Sequence, residues 1–208
     1  MSNLIVVSGA AGSGKGTVLA ELFKLSDRFR YSVSFTTRKP RPGEVDGVNY
    51  FFVTRDEFDK RVESGDFVEH VEYCGNCYGT SRSYIEKLQN DGYDVILEIE
   101  TVGALNVMRS VPQNISVFLA PPTYTVLESR LRGRGTESEE DIRKRLDRAK
   151  QEIRIAENYD YIVLNRDGEI QSAAHALFEI CRGTAVINDI VKHTSDEKQN
   201  FINSFING

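Results

Sequence analysis

The segment Gly9-Ala10-Ala11-Gly12-Ser13-Gly14-Lys15-Gly16-Thr17 brings together small residues, one lysine and one hydroxyl at a spacing suited to holding phosphate. Glycines let the backbone approach an anion closely, in torsions a side chain would forbid. Successive N–H groups then form an anion nest at the positive end of the following helix. Lys15 adds a mobile cation for the outer phosphates. The flanks fit this chemistry: Leu4-Ile5-Val6-Val7 reads as a buried strand, and Val18-Leu19-Ala20-Glu21-Leu22-Phe23 has helical apolar spacing. Strand, glycine loop, lysine and helix in that order are the context of a P-loop; a ligand-free glycine turn would need neither flank. Gly16 stands where a P-loop usually has the Ser or Thr that helps hold magnesium. The hydroxyl follows one place later, at Thr17, where it can touch phosphate, touch magnesium-bound water, or only cap the turn.

Those residues need a scaffold, and 208 residues are enough for one domain with subdomains. No stretch is apolar enough to span a membrane, and no basic region followed by an apolar core opens the chain, so a cytoplasmic enzyme with no membrane partner is expected. The net charge of −5 argues against a nucleic-acid partner. Basic residues are nevertheless clustered. Six Lys or Arg and one acid lie between Lys24 and Arg41, and a second group runs from Arg130 to Lys150. Local basic clusters on an acidic chain suit small phosphorylated ligands, with solvated helix faces as the alternative for several of the side chains. Cys74 and Cys77 have CxxC spacing but no second pair, and His70, His175 and His193 show no paired ligand spacing, so the thiols read as incidental.

Strands and helices alternate, which predicts an α/β fold with a mostly parallel central sheet and helices on both faces. Expected strands are Tyr31 to Phe35, Tyr50 to Val53, Phe67 to Val71, Asp94 to Glu100, Ile115 to Ala120 and, last, Tyr161 to Leu164. Thr54-Arg55-Asp56-Glu57 has capping-box spacing and opens a helix that Gly65 ends. Ser83 opens a short helix that stops near Gly92. Thr136-Glu137-Ser138-Glu139 is a second capping box, leading a charged helix to about Asn158. Another helix runs from about Glu169 to Arg182. The stretch 34–92 interrupts the alternation and reads as an inserted subdomain. The tail after Gly183 is polar with scattered apolar residues: a docking helix, an oligomer contact or a loose end.

The Lys-Gly-Thr ending of the glycine loop resembles nucleoside monophosphate kinases. The ordered series beyond it resembles guanylate kinase over roughly residues 4 to 182. Ser34-Phe35-Thr36-Thr37-Arg38-Lys39-Pro40-Arg41-Pro42-Gly43-Glu44 is similar to that family's signature, continued by Asp46-Gly47-Val48-Asn49-Tyr50. Glu69 with Gly75-Asn76-Cys77-Tyr78-Gly79-Thr80 resembles the second half of its GMP pocket. Leu97-Glu98-Ile99-Glu100 with Gly103-Ala104, then Arg134-Gly135-Thr136-Glu137, Arg145, and Tyr159-Asp160-Tyr161 with Asn165 complete the series. Three places depart from the family's pattern. Ala10-Ala11 replaces Pro-Ser, which bears on loop rigidity. Val102 replaces Gln, and Arg166 replaces an acid.

The resemblance implies ATP and GMP as substrates (dGMP as a second acceptor), magnesium with ATP, and ADP and GDP as products. It implies a single domain of three parts: an ATP-binding core at about 1–33, 93–122 and 151–190, a GMP-binding subdomain at about 34–92, and a helical lid at about 123–150, followed by the polar tail 183–208. Gly9 to Thr17 and Asn165 would contact ATP. Arg38 and Arg41 would grip the GMP phosphate with forked hydrogen bonds, with Tyr50 and Tyr78 donating hydroxyls. A carboxylate at Glu69 would accept both donors on guanine's edge, and Thr80 or Ser34 would donate to its carbonyl. Lys15, Arg134, Arg145 and Arg130 would stabilise the charge that spreads over the transferred phosphoryl group. Glu98 would orient magnesium-bound water or face GMP, unless it is a buried structural acid. An adenylate kinase or a non-catalytic guanylate-kinase-like module are the rivals. The segments from Arg38 to Tyr50 and from Glu69 to Thr80 oppose the first; intact Gly12, Gly14 and Lys15 oppose the second.

Overall fold

A computed structural model of the chain describes residues 2–133, 138–184 and 190–208. The elements are β1 (Leu4–Gly9), α1 (Lys15–Leu25), β2 (Phe29–Tyr31), β3 (Phe35–Thr36), β4 (Phe51–Phe52), α2 (Arg55–Glu63), β5 (Phe67–Tyr73), β6 (Asn76–Ser81) and α3 (Arg82–Asn90). They continue with β7 (Asp94–Glu98), α4 (Thr101–Ser110), β8 (Asn114–Ala120), α5 (Tyr124–Gly133), α6 (Glu139–Ile155), β9 (Tyr161–Leu164), α7 (Ile170–Cys181), β10 (Val191–Lys192) and α8 (Ser195–Asn207). One sheet has the order β10-β9-β8-β1-β7-β2 and a second the order β4-β3-β6-β5. In the larger sheet β2 pairs with β7 and β8 with β9 in parallel, while β10 runs antiparallel at the edge. This is the expected α/β class. β1 is buried along its whole length, as a strand covered on both faces must be.

The chain divides into two compact units, with the boundary inside β1. The first comprises the chain up to Val6 and Arg28–Asn114. Here β5 and β6 form a hairpin in which Glu69 pairs with Thr80 and Val71 with Tyr78. Its two-residue turn, Cys74-Gly75, has positive φ at both positions (49° and 73°), the geometry that matches strand twist in tight hairpins. Phe35, Phe58 and Cys77 form a small core with Phe51, Val53, Val62 and Phe67 around it. Arg61 lies over the Phe35 ring at 4.2 Å. The capping box at Thr54 and Glu57 is present and starts α2 as expected.

The second unit comprises Val7–Asp27 and Ile115–Gly208. Chain beyond Gly183 returns to the sheet, where β10 adds to β9. α8 then packs on α6 through the buried Phe201, Ile202 and Phe205. Lys198 Nζ donates to the carbonyl of Tyr159 at 2.7 Å and to that of Glu157. Of the readings open for the tail, a docked helix is the one observed.

Several expected elements differ. The run Tyr31 to Phe35 is not one strand. It feeds both sheets: Ser32 N still donates to Ile96 O beside β2, and Phe35 already belongs to β3. The strand Asn76–Ser81 was not expected, because its polar and glycine-rich composition hides it; its order comes from pairing and from Phe58 and Phe67 closing over Gly79. Helix α4 was not expected either. Its first turn holds Thr101, Val102 and Gly103, all weak helix formers, and burial of Thr101, Ala104 and Val107 decides instead. The long charged helix is capped by Ser138, whose hydroxyl accepts Asp141 N–H, rather than by Thr136, which lies outside the described residues. Likewise Ser81, not Ser83, caps α3.

α8 begins with a capping box that the sequence reading did not single out. Thr194 accepts Glu197 N–H, and the Glu197 carboxylate is held down to about 2, chiefly by the N–H groups of Thr194 and His193. A carboxyl lowered on folding contributes stability above its ordinary 4.5, and that contribution is lost as pH falls through about 2. Thr194→Ala should cost about 1 kcal/mol, typical of a lost cap, and lower Tm at pH 7 by about 2–4 °C in a chain of this size. An unchanged melting curve in scanning calorimetry would mean that Phe201, Ile202 and Phe205 hold α8 without its cap.

Candidate active site

In the second unit the glycine loop joins β1 to α1, as its flanks require. Gly14 has φ 83°, and a Cβ there would lie 2.5 Å from Asn165 Nδ2; at Gly9 a Cβ would lie 2.2 Å from the Leu119 carbonyl oxygen. Side chains at these positions would push the loop off its supports. Ser13 N donates to Ala10 O at 3.0 Å, and Lys15 Nζ closes on Gly9 O at 2.7 Å. Thr17 N and Val18 N both donate to Gly14 O, so the helix starts at the lysine. Its first turn carries no acid, leaving the positive end of the helix dipole uncancelled. Gly16 and the Thr17 side chain face solvent there, whereas Ala11 and Gly12 are half-buried.

Asn165 ties that loop to the end of β9. Its Nδ2 donates to Ser13 O at 2.8 Å, and the residue is 4% exposed. Arg130 Nη2 donates to the Asn165 carbonyl at 2.7 Å, while Nε and Nη2 both bond Asp167 Oδ1. Three buried polar atoms in this group have no protein partner: Ser13 Oγ, Arg130 Nη1 and Asn165 Oδ1. Each such orphan costs about 1–3 kcal/mol, which a ligand with complementary polar groups recovers.

α6 carries Arg145, half-buried, and Arg148. Arg132, Arg143 and Lys144 are exposed, as a solvated face predicts; Arg132 pairs with Glu128 and Lys144 with Glu140. Arg148 is exposed as well, and its Nε bonds the buried Glu152 at 2.8 Å. Arg134 lies outside the described residues.

The other candidate residues belong to the first unit. Arg38 makes a two-pronged ion pair with Glu44, at 3.0 and 2.8 Å, and lies over the Tyr50 ring at 5.4 Å. The Tyr50 and Tyr78 rings meet edge-on at 6.0 Å. Glu44 also accepts the Arg41 N–H at 2.7 Å, while the Arg41 side chain is exposed. The Arg38 fork, then the Arg41 amide, hold the Glu44 carboxyl below its ordinary range. The same pair, with a smaller contribution from the Tyr78 hydroxyl, raises Arg38. From the sequence Glu44 has no assigned role within the signature; the available signal is an acid three residues after Arg41 and six after Arg38. Thr36 and Thr37 hydroxyls bond the backbone of Cys77, pinning this arginine segment to β6.

Glu69 and Thr80 face each other across the hairpin, with Thr80 Oγ1 donating to Glu69 Oε1 at 2.8 Å. Gly103 leaves room for the acid, since a Cβ there would stand 3.3 Å from Glu69 Oε2. Burial pushes the Glu69 carboxyl up, and the Thr80 hydrogen bond offsets part of that rise. Ser34 is half-buried just before β3, and its carbonyl accepts Phe51 N–H. Glu98 ends β7 exposed to solvent, so it is not a buried structural acid. Cys74 is exposed in the hairpin turn; Cys77 is buried, and burial raises its thiol.

A glycine loop between strand and helix, closed by its own lysine in a mostly parallel α/β fold, defines a P-loop phosphate-binding protein. The family model described as guanylate kinase matches residues 1–182. The chain is 52% identical over 167 residues to a guanylate kinase of Lactococcus lactis subsp. lactis, covering 80% of this chain and 82% of that one. It is 53% identical over 163 residues to one of Streptococcus pyogenes serotype M3, covering 78% and 77%. The crystal structure of guanylate kinase from Anaplasma phagocytophilum matches with a TM-score of 0.63 at 30% identity, covering 91% of this chain and 89% of that one. The chain belongs to the guanylate kinase family.

Burial makes ionising Glu69 costly in the ligand-free protein. A carboxyl raised on folding leaves stability intact below its ordinary 4.5, and stability is lost as pH rises through the folded value. Glu69→Gln should therefore melt at a higher temperature than the parent at pH 7, with the difference vanishing below pH 4.5. Melting without ligand across that range checks it; an equal or lower Tm for the variant at pH 7 would show that the buried charge is already compensated.

Proposed function

We infer that this chain is a guanylate kinase, transferring the γ-phosphoryl group of ATP to GMP and giving ADP and GDP. The observation that carries this reading is the half-identity to guanylate kinases over about four fifths of the chain. The same acceptor pocket would take dGMP, which differs only in the sugar.

In the first unit, Arg38, Arg41, Tyr50 and Tyr78 take the GMP phosphate. Arg38 is already oriented by Glu44, and exchanging one anion for another on the same fork keeps it paired. Glu69 accepts the ring N–H and amino group of guanine, and Thr80 or Ser34 donates to the carbonyl. Adenine has no such two-donor edge. The Glu69–Thr80 pair supports this reading, because a half-buried carboxylate with one hydroxyl partner has acceptor capacity left for two donors.

In the second unit, the amides of Gly9 to Thr17 and the Lys15 ammonium hold the ATP phosphates, Lys15 leaving Gly9 O to do so. The orphan acceptor Asn165 Oδ1 and donor Arg130 Nη1 suit the polar edge of a base. Arg134 and Arg145 stabilise the transferred phosphoryl group, and Arg130 supports them. The segment 123–150 acts as the lid that excludes water, the competing acceptor. The GMP phosphate oxygen attacks directly, so no residue becomes a covalent nucleophile.

Magnesium fits as an ion carried by the ATP phosphates. Hard oxygen donors suit it, and either the exposed hydroxyl of Thr17 or the exposed carboxylate of Glu98 would meet its water shell. Among the described residues no group of three His, Cys, Asp or Glu converges to hold a metal by itself. Bound there, the ion would neutralise charge on the β- and γ-phosphates. Among the described residues no helix is long and apolar enough to cross a membrane; a cytoplasmic location completes the proposal.

A coupled ADP-release assay with GMP, AMP, UMP and no acceptor tests the reading. Release that requires GMP supports it, and release indifferent to the acceptor overturns it. In the same assay Glu69→Gln turns an acceptor into a donor facing guanine's donors. The mismatch should cost about 2–4 kcal/mol, or roughly 30- to 1000-fold in kcat/KM for GMP, with KM for ATP little changed. Near-parental GMP kinetics would place base selection elsewhere.

A further inference from the structure

α6 carries a buried acid for which the chemistry above has no use. Glu152 is 5% exposed, and its two oxygens serve two different partners. Oε2 accepts the backbone N–H of Ala11, in the glycine loop, at 3.2 Å. Oε1 accepts Arg148 Nε, one helical turn back, at 2.8 Å. Helix stability does not explain the arrangement. An arginine four residues before a glutamate is the less favourable order for a helix pair, and such pairs contribute only a few tenths of a kcal/mol at best. Burying a carboxylate costs far more than that unless it is paired. What the buried position provides is the bond to Ala11, 141 residues away in sequence.

Two features give that bond a consequence. Ala10 and Ala11 bring no conformational lock of their own, unlike a loop with proline at this place. The bond from Ala11 N–H to Glu152 Oε2 supplies an external one, alongside the internal ties Ser13 N to Ala10 O and Lys15 Nζ to Gly9 O. In addition, Arg145, Arg148 and Glu152 are spaced i, i+3, i+7, so they share one face of α6. The face bonded to the phosphate loop is the face that carries Arg145.

We propose that Glu152 is a positioning residue for phosphoryl transfer, fixing the arginine face of α6 to the phosphate loop through Ala11 N–H and Arg148 Nε. It touches neither nucleotide. Its effect is on register: when the loop and the helix move as one, the α6 arginines keep a set distance from the phosphates the loop holds. The inference rests on the kinase reading above.

Three variants separate the two bonds. Glu152→Gln is isosteric and can still accept from Ala11, but loses the charge that holds Arg148. Glu152→Asp keeps the charge and is one methylene too short for Ala11. Glu152→Ala loses both. Misplacement on the scale of 1 Å costs up to about 100-fold in rate, so Glu152→Ala should lose about 30- to 100-fold in kcat per active site, with KM for ATP and GMP within about threefold. The Gln and Asp variants should fall between it and the parent. A purely structural role would lower Tm and the active fraction without changing kcat per active site. Amide hydrogen exchange of the ligand-free protein reads the coupling without reference to activity: loop peptides containing Ala11 should exchange faster in the Asp and Ala variants and at the parental rate in Gln. If the parent shows no GMP-dependent ADP release, the kinase reading fails while the exchange result still stands or falls alone. Unchanged loop exchange in Glu152→Asp overturns the proposal, and so does parental kcat in a folded Gln or Asp variant. The isosteric Gln variant keeps the kinetic test open if Glu152→Ala does not fold.

Discussion

A carboxylate taken out of water must find partners, and the functional parts of this chain are arranged around that constraint. Glu152 in the second unit is buried and Glu69 in the first is half-buried, and they meet the constraint differently. Glu152 has both oxygens bonded, one to a backbone N–H and one to a guanidinium, and it acts as an internal fastening. Glu69 has one hydroxyl partner, which offsets only part of the rise that burial gives its carboxyl. An acid left short of donors is one prepared to receive them from a ligand. Glu44 is a third case: half-buried, its carboxyl is held down by the Arg38 fork and the Arg41 amide that it bonds.

The same logic runs through the phosphate loop with the sign reversed. Its N–H groups and Lys15 are donors that need acceptors, and the chain supplies temporary ones in the Gly9 and Ala10 carbonyls. Ser13 Oγ, Asn165 Oδ1 and Arg130 Nη1 are left over, buried and unpartnered. A ligand whose polar groups met these atoms would recover part of what their burial costs the ligand-free fold.

Much of this was legible in the sequence, for physical reasons that can be named. Leu4 to Val7, Asp94 to Glu100 and Ile115 to Ala120 were legible as strands because short, β-branched apolar runs suit strands buried on both faces, and the glycine loop carries its geometry in its composition. The Thr54 to Glu57 box was readable because capping is local. What escaped was set by distant partners. β6 is ordered by pairing with β5 and β3, and α4 by the burial of one face, although its first turn carries a glycine that leaves room for Glu69. The candidate residues were named from resemblance, but their couplings were not visible. Nothing in a charged helix marks Glu152 as buried, since the Ala11 N–H that it accepts lies 141 residues away in sequence. Glu44 sat in plain view within the signature, but only the folded loop brings it onto Arg38.

The central claim is that Glu69 is held at a cost until guanine's donors arrive, and its carboxyl reports this directly. Carbon-13 NMR of the side-chain carboxyl, followed through an acid titration with and without GMP, measures the titration point in both states. The account predicts a midpoint above the ordinary 4.5 in the free protein and a fall below it when GMP is bound. A free-protein midpoint at or below 4.5, unmoved by GMP, would contradict it.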